Sequence, residues 1–191
     1  MAIVSAVDGH ASPYNHPHLN RVGLWLFFAS ETVLFGLLLS VRFFLEGIER
    51  EHVDQLLGLW ITVILLASSV TAFTAETAIE HDNRTVANWG LFATIVLGLI
   101  FAGGVGYEWA TAEFTRREAF GTVFFTMTGV HAAHVVSGIG ILGLVLAQSL
   151  RGRYTGKDHW PLAGAVMYWH FVDVVWIFFY PALYLIGTAV H

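Results

Sequence analysis

The chain has no cysteine. Disulfides, thiolate metal sites, covalent haem attachment through cysteine and cysteine nucleophiles are therefore excluded. Charge is scarce too. Asp, Glu, Lys and Arg make up 12% of the 191 residues, about half the roughly 25% of a soluble domain. The nine Lys and Arg form no dense patch, which leaves nucleic-acid binding without support. No two histidines are adjacent. What is abundant is hydrocarbon: 56% hydrophobic residues and a mean hydropathy of +0.65 describe an integral membrane protein with no sizeable soluble domain.

Residues 1–19 are polar and contain His10, His16 and His18 with Pro13 and Pro17. They lack the basic start, apolar middle and small-residue cleavage site of a signal peptide, and are expected to form a short surface-lying or flexible arm. Five apolar segments of spanning length follow, at about 22–45, 56–79, 86–109, 120–150 and 162–188, given that about 20 helical residues cross the hydrocarbon core. Short polar connectors make neighbours antiparallel. The expected fold is an all-α, five-helix transmembrane bundle forming one domain over residues 20–191. Pro161 suits the first turn of the fifth helix, and Pro181 is expected to kink it. With the N-terminus inside, the inner segments hold Arg21, Arg84, Arg151, Arg153 and Lys157, and the outer ones Arg42, Arg50, Arg116 and Arg117. This bias favours N-inside, C-outside. Small residues recur every fourth position at Ala67, Thr71 and Ala75, at Gly98, Ala102 and Gly106, and at Gly129, Ala133 and Ser137. Such ridges let helices approach closely in lipid.

Ionisable residues inside spans are costly and face a bundle interior or a functional site. Glu31, His131, His134, His170 and Asp173 fall in one layer near the bilayer midplane, while Glu76 and Glu108 are expected near helix ends within reach of water. His131 and His134, and likewise His170 and Asp173, are three residues apart and share a helix face. Three chemistries fit this layer. One is a metal or haem site, including a bis-histidine haem between His131 and His170. Another is a proton or ion path through Glu31 and the histidines. The third is a hydrogen-bonded network that fixes the bundle, with Asp173 satisfied by a histidine or a tryptophan N–H. The tryptophans near helix ends are explained by interfacial belts.

Four stretches carry a family resemblance. They are residues 23–35 (GLWLFFASETVLF), 106–109 (GYEW), 121–138 (GTVFFTMTGVHAAHVVSG) and 168–180 (YWHFVDVVWIFFY). Together they resemble subunit III of the haem–copper terminal oxidases, the cytochrome c and quinol oxidase complexes. The resemblance implies a chain that carries no haem or copper itself, these belonging to partner subunits. Subunit I would be the direct contact, reducing oxygen and pumping protons, with subunit II in the complex and a small subunit IV where present. Subunit III would hold phospholipid in a cleft, stabilise subunit I and sustain proton uptake. Glu31 matches the buried carboxylate beside the lipid cleft. Arg151, Arg153 and Lys157 match a region that touches lipid phosphates, although Gln148 stands where relatives are often basic. His131, His134, His170, Asp173 and Glu108 would be structural. The location implied is the bacterial cytoplasmic (inner) membrane. Five helices match several bacterial forms, where mitochondrial ones have seven, so the first helix here corresponds to the family's third. A subunit-III-like companion of a nitric oxide reductase carries the same motifs. A haem-binding electron carrier and a transporter using Glu31 stand as the other readings.

Overall fold

A computed structural model describes residues 17–46, 49–50 and 53–189; residues 1–16, most of the expected N-terminal arm, lie outside them. Five helices dominate: α1 Pro17–Glu46, α2 Gln55–Glu80, α3 Arg84–Thr111, α4 Ala119–Leu150 and α5 Trp160–Tyr180. All five are long and apolar enough to cross a membrane. α1 starts before the expected residue 22, at Pro17, whose missing N–H is no loss in a first helical turn.

Local chemistry sets the boundaries. Asp54 caps α2, its Oδ1 accepting from the Leu56 and Leu57 N–H groups at 3.0 Å each. Asn83 caps α3 through the Val86 N–H. Between these helices Asp82 adopts φ 57°, the left-handed conformation that turns the chain. Pro161 lies in the first turn of α5, as expected. Beyond Tyr180 the outcome differs from a single kinked helix: Pro181–Leu185 is a π-helical turn, closed by the Ile186 N–H on the Pro181 carbonyl at 2.8 Å. Proline cannot continue the regular ladder, and widening the turn by one residue recovers a hydrogen bond. Thr188–Ala189 then pairs in parallel with Glu49–Arg50, a small strand contact without a signal in the apolar pattern.

α2, α3, α4 and α5 form a closed ring in which each packs on its neighbours, and α1 leans on α4 and α5 from outside. Small residues set the spacing. A methyl on Gly90 would lie 2.8 Å from the Ala75 Cβ, so α2 and α3 touch almost backbone to backbone, and Thr71 and Thr94 share a 2.7 Å hydroxyl contact there. Gly98 of α3 and Gly138 of α4 open a slot for the Trp169 indole. An added Cβ would come within 2.6 Å of its Cη2 from one side and 2.9 Å of its Cε3 from the other. Its Nε1 donates to Ser68 of α2 at 2.9 Å. One side chain of α5 thus touches the other three members of the ring. The expected ridges are only partly used: Gly106 meets nothing within 4 Å and Ala133 is exposed.

Candidate functional site

The midplane residues divide into separate sets. The first joins α1 to α4. The His134 Nδ1 lies 2.8 Å from the Val130 carbonyl. A carbonyl only accepts, so Nδ1 carries a hydrogen. The other nitrogen, Nε2, lies 3.1 Å from Glu31 Oε2. A favourable contact there needs one proton between the two atoms, held either by the carboxyl or by the imidazolium. Both side chains keep a little exposure, 18% for Glu31 and 19% for His134. The Phe35 ring lies edge-on to His134 at 4.9 Å.

The second set joins α5 to α2. Ser69 Oγ lies 3.1 Å from His170 Nδ1, and the Ser69 hydroxyl donates to Asp173 Oδ2. With Asp173 ionised, Ser69 spends its one proton there and accepts from His170 Nδ1. The expected partner of Asp173, a histidine or tryptophan N–H, is corrected by this geometry: the hydroxyl stands between the two α5 side chains. The indole N–H groups go elsewhere on α2, Trp169 to Ser68 and Trp176 to Thr62, both at 2.9 Å.

His131 differs from both sets. It is fully buried against Trp176, at a ring separation of 4.8 Å, and Phe101, at 5.8 Å. Neither ring nitrogen has a hydrogen-bond partner among the described residues, so here the cross-helix hydrogen bond offered by the sequence gives way to aromatic packing. Glu108 also departs from expectation. It is buried rather than near water, and Tyr184 donates to its Oε2 at 2.6 Å. That tyrosine sits on the π-turn, whose geometry no periodicity announces. Among the described residues no group of three or more His, Cys, Asp or Glu is arranged to hold a metal ion.

At the α4–α5 connection Arg151, Arg153 and Lys157 are exposed. Tyr154 beside them is buried and donates to Gln148 Oε1 at 2.9 Å, and burial pushes its phenol pKa up. Gly156 N–H donates to Asp82 Oδ1 at 2.6 Å, tying this loop to the α2–α3 turn.

Ser69, Ser68, Thr62 and Tyr184 escaped the sequence reading. The only signal for the first three is hydroxyls on α2 spaced to face a Trp-rich helix, and hydroxyls in spans are too common to single out; Tyr184 on the π-turn has none.

The chain matches the family described as cytochrome c oxidase subunit III over residues 4–188. It is 35% identical over 190 residues to cytochrome c oxidase subunit 3 of Thermostichus vulcanus, covering 95% of this chain and 92% of that one. It is 41% identical over 128 residues to the protein of the same name from Neurospora crassa, covering 66% of this chain but 48% of that one. With the Locusta migratoria protein it shares 35% identity over 183 residues, 88% of this chain and 69% of the other.

Proposed function

The chain belongs to the cytochrome c oxidase subunit III family, and on that premise we propose that it is the accessory, cofactor-free subunit of a bacterial haem–copper oxidase. It is a multi-pass membrane protein; in this reading it lies in the cytoplasmic membrane with its N-terminus inside. It binds beside subunit I, in a complex that also holds subunit II and, where present, a small subunit IV. Haem and copper reside in those partners. One observation carries the reading: the likeness to subunit III runs through nearly the whole chain, as does the match to a relative of almost the same length.

Where individual residues sit supports the roles proposed for them. Phe28 and Phe35, one heptad apart, are buried in the α1 seam, and the opposite side of the helix is open hydrocarbon. A shallow groove of about 410 Å³ runs there past Ser30, Leu34, Leu37 and Leu38. Glu31 borders that face in helical order. In this proposal phospholipid lies along it, with Glu31 and His134 keeping one shared proton beside the acyl chains. Arg151 and Arg153, exposed at the inner end, meet lipid phosphate. The ordered lipid and the shared proton support proton uptake and the durability of subunit I. His131, His134, His170, Asp173 and Glu108 hold the helices together.

The test is purification through a tag on this chain in mild detergent, with a reduced-minus-oxidised visible spectrum and subunit masses. Haem bands with a large partner support the proposal. Haem with this chain alone overturns it in favour of an electron carrier. A colourless single chain that conducts protons in liposomes, with the flux lost in Glu31→Gln, overturns it in favour of a transporter.

A further inference from the structure

α1 and α5 leave a groove between them on the flank of α1 away from Glu31. Its wider part, of about 500 Å³, is lined by Trp25, Phe28, Thr32, Met167, His170 and Phe171. A narrower part of about 150 Å³ shares Thr32 and Phe171 and continues past Phe35 to Phe178 and Phe179. The volume of the wider part falls in the range of small-molecule sites. Phe28 and Phe171 stack across it, with centroids 4.8 Å apart and planes within 10°. The Thr32 hydroxyl is already committed to the Phe28 carbonyl at 2.7 Å. The Trp25 indole can only donate and the Thr32 hydroxyl has spent its proton, so His170 carries the one lining nitrogen able to accept.

With Asp173 ionised, the Ser69–Asp173 arrangement fixes which hydrogen-bonding role His170 takes. Ser69 spends its proton on Asp173 and receives the His170 Nδ1–H. A neutral imidazole with hydrogen on Nδ1 presents Nε2 as an acceptor. His170 lies about 15 Å into its span at 1.5 Å per residue, near the centre of a hydrocarbon core of about 30 Å. A phospholipid in this groove would bring only its chains to that depth, since its head group stays at the interface. The acceptor calls for a ligand that carries a hydroxyl donor into hydrocarbon, with a flat ring for the aromatic walls and a tail for the narrower extension.

We propose that the α1–α5 groove binds an isoprenoid hydroquinone, its ring beside Trp25 and Phe28 and one hydroxyl donating to His170 Nε2. The oxidised quinone has carbonyl acceptors only and cannot make that bond, so the groove discriminates by redox state without performing redox chemistry. The inference needs only that the chain spans a membrane and stands apart from the oxidase assignment.

The test uses the intact complex in mild detergent under argon. It is photolabelled with an azido derivative of decylubiquinol, and adducts on this chain are mapped by mass spectrometry. Adducts are expected on residues 22–36 and 163–178, displaced by decylubiquinol at about one tenth of the concentration needed with decylubiquinone. His170→Leu should weaken displacement about tenfold, and His170→Gln, which keeps an acceptor, should restore most of it. Trp25→Ala, at an exposed position, should also weaken labelling, and serves if the His170 variants do not assemble. Equal displacement by the two redox forms, displacement by phosphatidylglycerol alone, adducts confined to other segments, or adducts on a neighbouring subunit's helix in place of the groove would each overturn the proposal.

Discussion

The first and fifth helices are of similar hydropathy and opposite character. In the most apolar stretch of α5, 61% of residues are buried within the protein, against 11% in that of α1. α5 is recognised by three of its neighbours through polar atoms and a shaped slot: Trp169 between Gly98 and Gly138, and Ser68, Ser69 and Thr62 on α2. α1 is held by a narrow seam of Phe28, Phe35 and Arg42 and by one proton-sharing pair. Lipid tails are as apolar as leucine, so burial of hydrocarbon alone does not drive helices together in a membrane. Shape and hydrogen bonds decide which helix is core, and hydropathy does not report them.

The comparison can be broken first at Trp169. Trp169→Ala empties a slot between three helices and should cost about 3–5 kcal/mol, whereas Trp25→Ala on α1, at a 65% exposed position, should stay within about 0.5 kcal/mol. Chemical denaturation of the detergent-solubilised complex measures both, and equal losses would refute the contrast. Filling the slot comes next: Gly98→Leu should destabilise by about 1–3 kcal/mol, while Gly23→Leu, with nothing within 4 Å, should be neutral in the same assay. Asp173→Ala leaves the Ser69 hydroxyl without its acceptor and should lower stability by about 1–2 kcal/mol, with a reduced yield of assembled complex. A normal yield of full stability would refute the role given to that contact. On the α1 side, Glu31→Ala should change stability by about 0.6 kcal/mol, the mean of interhelical hydrogen bonds in a membrane bundle. It should nevertheless reduce co-purified phospholipid and shorten activity over many turnovers; unchanged lipid content with unchanged durability would contradict the lipid proposal. Arg153→Ala, at an exposed loop position, should move stability by less than about 0.5 kcal/mol.

Much of this organisation was legible beforehand. Runs of about 20 apolar residues announce spans whatever packs on them, so the five-helix bundle and the family emerged from pattern and motif. The midplane residues were also recognisable, because an ionisable side chain stands out against hydrocarbon. Their partners were not. His134 and Glu31 are 103 positions apart, and Ser69 and Asp173 are 104 apart. Nothing in a helical repeat says which distant face will oppose which. Glu108 sits three residues from the end of α3, yet it is buried and bonded to Tyr184 on a π-turn, which a count of depth along α3 does not contain. Gly106 and Gly98 belong to one ridge in sequence, yet only Gly98 meets an indole. The difference between them lies in α5 and is invisible from α3.

The slot for Trp169 also bears on manufacture. A ribosome delivers the spans in chain order, so the segment that fills the ring leaves it after the other four. Until then the glycines of α3 and α4 and the serines of α2 have no indole to receive, and the first four spans wait with their inner surfaces facing lipid or one another. The strand pairing of Glu49–Arg50 with Thr188–Ala189 cannot close before residue 189 has been made. A nascent chain halted before residue 160 would therefore hold four inserted helices with the slot between Gly98 and Gly138 empty.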